Sequence, residues 1–146
     1  MIPKTDLEII QGISLVISSN ISKDKNTLID FRFTKKLIEE NKLEIKKFII
    51  VHKPYNERRS YATFKNWMPE YEGIITSMNI SCEEYNKMAI ENNLPNWTDL
   101  MVGDVQRMKI FAKKGWQVEV EMPDRIWDAY EELVSRGYDK YVFHEK

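Results

Sequence analysis

The sequence predicts an α/β domain, a layered, mostly parallel sheet of Rossmann-like three-layer type with helices on its faces. Three observations predict it. Short β-branched runs recur along the chain at 13–17, 48–51 and 74–78. Longer segments with apolar residues three and four apart separate them. The two signals alternate, which is the rhythm of parallel crossovers. A length of 146 residues suits one core, so residues 1–146 are expected to form a single domain.

The first run, Ile13, Leu15, Val16 and Ile17, is bounded by Gly12 and by Ser18-Ser19-Asn20 and reads as a buried strand ending in a polar loop. Between Lys25 and Asn41, Leu28, Phe31, Lys35 and Ile38 interleave with Phe33 and Leu37 at helical spacing, with Asn26 or Thr27 able to cap the start. Phe48-Ile49-Ile50-Val51 reads as a second strand, stopped by Pro54. Residues 53–73 read as an irregular aromatic and basic insertion, in which Tyr61 to Met68 can make a short helix before Pro69. Gly73 to Met78 is a third strand, and Ser81 with Glu83 and Glu84 opens a helix ending near Asn92-Asn93.

Asp99 to Gly103 reads as a short apolar element, and Asp104 as the start of a helix that stops at Lys113-Lys114-Gly115. Trp116, Val118, Val120 and Met122 alternate with Gln117, Glu119 and Glu121, the pattern of a half-solvated strand and hence of an antiparallel edge. Pro123-Asp124 opens a helix with Ile126, Trp127, Tyr130, Leu133 and Val134 on its core stripe, and Tyr138 to Phe143 reads as a last strand.

Composition narrows the function classes. Apolar residues at 42% and charged residues at 31% fit a folded globular protein. The net charge of −1 argues against a nucleic-acid binder, although nine Lys or Arg against four Glu between Lys35 and Lys65 make the middle of the chain positive. One cysteine, Cys82, allows no internal disulfide and no cysteine metal cluster. No apolar run is long enough to span a bilayer. The expected location is cytoplasmic.

Parallel sheets bind ligands beyond the carboxyl ends of their strands. The leading candidate site is His52-Lys53-Pro54-Tyr55-Asn56-Glu57-Arg58-Arg59, directly after the second strand. Lys53, Arg58 and Arg59 supply cations for a phosphate or carboxylate, and His52 can titrate near neutral pH. Ser18 and Asn20 lie at the equivalent end of the first strand and join the candidate ligand contacts. The competing account is a solvated loop whose cations pair with nearby acids.

The second candidate is Asp99-Leu-Met-Val-Gly-Asp104, followed by a helix and Gly115-Trp116. Over about twenty residues this segment resembles the part of haloacid-dehalogenase-type phosphatases that carries a Mg²⁺-binding aspartate. The resemblance implies a metal role for Asp104, since a hard cation takes carboxylate oxygen. It departs from that family at Ile17-Ser18-Ser19-Asn20, where the family carries its two aspartates. A capping aspartate is the plainer account of Asp104. Glu119 and Glu121 share a strand face, and Glu119 is a second candidate metal ligand with Asp104, again with Mg²⁺ as the implied ion. Edge-strand charge explains the same pair without a metal.

These residues support a domain that binds a small phosphorylated or nucleotide-like ligand, with metal-dependent phosphoester chemistry as its enzymatic form and Asp104 and His52 as its catalytic groups. The alternative is a non-catalytic interaction or accessory domain, docking a protein partner through Tyr61, Phe64, Trp67 and Tyr71 or through the acidic C-terminal stretch. No Gly-rich nucleotide fingerprint, His-Glu-x-x-His or Gly-x-Ser-x-Gly motif is present.

Overall fold

The computed structural model describes residues 27–144; the predicted strand at 13–17, with Ser18 and Asn20, lies outside them. The described chain is mostly helical. Its elements are α1 (Thr27–Glu40), β1 (Lys47–Val51), a 3-10 turn (Pro54–Asn56), α2 (Glu57–Trp67), β2 (Glu72–Thr76), α3 (Cys82–Glu91), α4 (Trp97–Lys113) and α5 (Asp124–Ser135).

The predicted layered sheet is not observed. The described residues hold one two-stranded sheet, β1 beside β2 in parallel, with Ile49 opposite Ile74 and Val51 opposite Thr76. Two of the predicted strands are not strands. Trp116 to Met122 is extended but joins no ladder: Val118 N–H bonds to the Ala62 carbonyl and the Trp116 carbonyl accepts from Trp67 Nε1–H, both on α2. The alternation is not followed in burial, since Gln117 of the predicted polar face is buried and donates to the Met108 carbonyl, while Trp116, Val118, Val120 and Met122 are half-buried. Tyr138 to Phe143 is an irregular strap along α4.

The region 53–73 is not an excursion either, since α2 is the crossover helix that returns the chain from β1 to its parallel neighbour. Phe64, Met68 and Ala62 are buried on it. Phe31 and Ile38 of α1 meet Phe64 and Met68 in the main core, flanked by Phe48, Ile50, Trp67 and Tyr71. The Phe64 ring lies edge-on to Phe31 and Phe48, with centroids 5.6 and 5.9 Å away. It also sits over Gly73, where an added Cβ would come within 2.3 Å of the ring. Gly73 is therefore where helix and sheet close on one another.

The aliphatic runs of both strands are apolar on two faces, and among the described residues only one face is packed. Phe48 and Ile50 pack against the helices, whereas Ile49, Val51 and Ile74 stay largely exposed. The predicted capping box at the start of α3 is present, with Ser81 Oγ accepting from Glu84 N–H and Glu84 accepting from Ser81 N–H. The break predicted between residues 103 and 104 is absent. One helix runs through it, capped by Asn96, so Asp104 lies in mid-helix and does not cap. Trp127 and Tyr130 of α5, predicted as core, are only half-buried.

Candidate functional site

The carboxyl end of β1 is held by its neighbour, because His52 N–H donates to the Thr76 carbonyl at 2.9 Å. Pro54 fixes its own φ and turns the chain through the 3-10 turn into α2. That turn folds the His52 ring back on its own backbone. Nδ1 accepts from Lys53 N–H at 2.8 Å, and Nε2 lies 3.2 Å from the Asn56 amide. A neutral ring that accepts at Nδ1 carries its proton on Nε2, which calls for an oxygen opposite. Asn56 Oδ1 is buried without a partner when the amide nitrogen faces the ring. Turning the amide over places Asn56 Oδ1 as the acceptor of Nε2–H, the pairing that a ring accepting at Nδ1 requires. Burial, with Arg59 and Lys53 adding to it, lowers the His52 pKa to about 4.

Behind this turn, α2 and α4 meet through a buried ion pair. Arg59 Nε donates to Asp104 Oδ1 at 2.6 Å, with side chains 13% and 9% exposed. Burial raises the Asp104 pKa, opposed by Arg59 and more weakly by Arg107. A guanidinium only donates, so its partner is favoured as the carboxylate. Arg107 stands one helical turn after Asp104, and burial beside Arg59 lowers its pKa. It donates through Nη2 to the Tyr141 carbonyl at 2.9 Å. The strap is held further by Gln106, which accepts from Phe143 N–H at 2.6 Å and donates to the Phe143 carbonyl at 3.1 Å.

One wall of the site is aromatic. Tyr55, Tyr85 and Trp97 pack edge to face, with centroid separations of 6.1, 6.1 and 5.0 Å. Burial and then the Asp104 charge raise the Tyr55 phenol pKa. The Lys53 ammonium stands over the Tyr55 ring at 5.9 Å.

Of the residues singled out by sequence, His52, Lys53, Tyr55, Asn56, Arg59 and Asp104 share this region. Arg58 does not join them. It is exposed and reaches Met122 Sδ at 3.1 Å, toward a separate cleft of about 400 Å³ between α4, the 119–122 stretch and α5. Glu119 and Glu121 line that cleft with Lys109, Lys113 and Trp127. Among the described residues no three or more His, Cys, Asp or Glu side chains converge to hold a metal. Arg107, Tyr85 and Trp97 belong to the site but lie outside the segments singled out by sequence. Arg107 alone had a usable signal, its spacing of three from Asp104 on one helix, and that is hidden when the helix is started at residue 104.

No family model matches the chain. It is similar to an uncharacterised protein of Streptomyces coelicolor, 31% identical over 121 residues that make up 83% of this chain and 54% of that protein. The chain spans about half the length of this curated relative. No solved structure matches. No helix of the described residues is long and apolar enough to cross a membrane.

Proposed function

We propose that this domain binds a small phosphorylated or nucleotide-like anion at the carboxyl end of β1, in the cytoplasm. One observation carries the reading. Arg59 bonds Asp104 through Nε with its guanidinium carbon 5.8 Å over the Phe111 ring, and among the described residues its two terminal nitrogens, which are not shut off from solvent, have no hydrogen-bond acceptor in the protein. Terminal guanidinium nitrogens that reach solvent with no protein acceptor can take a ligand, and an oxyanion is the group that matches their fork. Lys53 at the rim and the Tyr55–Tyr85–Trp97 wall add a charge and a ring surface suited to such a ligand. His52 holds the turn in place, since both its ring nitrogens face partners within the turn.

The test is a thermal-shift series with inorganic phosphate and adenine nucleotides on three proteins. Ligand should stabilise the wild type and Arg58→Ala alike, and Arg59→Gln should lose the shift. A wild type indifferent to every anion, or an undiminished shift in Arg59→Gln, would end the proposal. A second reading, a docking domain for a protein partner, draws on the exposed Ile49, Val51 and Ile74.

A further inference from the structure

The floor of the proposed site has a countable charge, and the count says which anions it should take. Arg59 and Arg107 each bring one positive charge, and Asp104 between them brings one negative, so the floor carries a single surplus positive charge. The other titratable groups around it come from each packed element. His52 and Tyr55 follow β1, Tyr85 stands on α3, and Tyr141 belongs to the strap. His52, Tyr55 and Tyr85 leave the count unchanged at neutral pH, because the histidine is held neutral and the two phenols are pushed above their ordinary range. Lys53 is exposed, and its ammonium lies over the Tyr55 ring at the water side, where solvent screens it.

From this balance we infer that the site selects a singly charged oxyanion, of phosphodiester or carboxylate type, over a doubly charged phosphomonoester. The inference rests on the anion-binding reading and sharpens it. One negative charge neutralises the Arg59, Asp104 and Arg107 trio and completes the Arg59 fork. A second negative charge would have only the exposed, solvent-screened Lys53 to meet it, beside an Asp104 carboxylate that repels it. Asp104 is thereby a specificity-determining residue. Its carboxylate holds Arg59 in place and removes one positive charge from the floor.

The experiment compares two small probes of similar shape at about pH 8. Dimethyl phosphate carries one charge there, and methyl phosphate, with its second ionisation near 6, carries two. Titrated against the wild type by thermal shift or calorimetry, dimethyl phosphate should bind roughly tenfold tighter, the like-charge penalty for the second group. Asp104→Asn keeps an oxygen for Arg59 and adds a positive charge to the floor, so the order should reverse and methyl phosphate should win. Should that variant fail to fold, Arg107→Gln removes the surplus charge and should weaken dimethyl phosphate by about tenfold. Equal or tighter binding of methyl phosphate by the wild type overturns the inference while leaving anion binding intact. So does a preference that Asp104→Asn does not move, or an affinity that Arg107→Gln does not change. Silence of the wild type toward both probes overturns the anion site itself, and the selectivity with it.

Discussion

At the scale of single residues, His52 shows how position overrides type. A histidine after a strand, among cations, reads as a proton carrier. In the folded chain its ring is spent on the turn, with Nδ1 on Lys53 N–H and Nε2 on Asn56. Its pKa falls from 6.5 to about 4, through burial first and the charges of Arg59 and Lys53 after it. Because the folded value is the lower one, the unfolded chain takes up the proton first, and acid favours unfolding. The stabilising effect is complete above 6.5, is lost as pH falls toward 4, and amounts to about 3 kcal/mol over that window. Urea midpoints measured across it should fall for the wild type and fall less for His52→Gln, which can still accept from Lys53 N–H but does not titrate. Parallel curves for the two proteins would refute the role. Asp104 teaches a related lesson. Its acidity was legible, but its partner Arg59 lies forty-five residues away, and no local pattern carries that contact.

At the scale of elements, segments that obey one rule were legible and segments that obey two were not. β1 and β2 each end in three consecutive β-branched residues, α1 and α3 carry a clean period and α3 its capping box, and all four fall where the sequence put them. The stretch from Trp116 to Met122 satisfies strand alternation, but it bonds to α2 through Trp116 and Val118 and buries the polar Gln117 against Met108. The Gly103-Asp104 pair satisfies a helix-start rule, yet α4 runs through it. Gly103 is explained by its neighbour. A Cβ there would stand 2.4 Å from the Tyr141 carbonyl oxygen and 2.8 Å from Arg107 Nη1, so only glycine lets the strap lie this close. Gly103→Ala separates this account from ordinary helix propensity, because the two differ in sign. In an open helix the change stabilises by about 1 kcal/mol. Against a backbone carbonyl it should destabilise by about 1–3 kcal/mol. A denaturation midpoint that rises in Gly103→Ala would show the strap to be free to move away.

At the scale of the molecule, the sheet poses the remaining physical question. Parallel strands with apolar residues on both faces are ordinarily covered on both, and two strands alone are rarely stable without a packed face. Here α1 and α2 cover one face through Phe31, Phe64 and Met68. On the other, Ile49 is 75% and Ile74 68% exposed and they stand side by side, and the Lys47–Glu72 ion pair marks one end as polar. If that face meets only water, its isoleucines contribute little to folding and much to sticking. The double variant Ile49→Thr with Ile74→Thr keeps β-branching, so strand propensity is preserved and only burial is tested. Each change on an open surface should cost no more than about 0.5 kcal/mol. The melting temperature should therefore barely move, while concentration-dependent association in sedimentation velocity should diminish. A melting temperature lower by ten degrees or so would correspond to at least a few kcal/mol in a chain of this size. That would mean both side chains are buried in the working protein, and the face would then belong to its core.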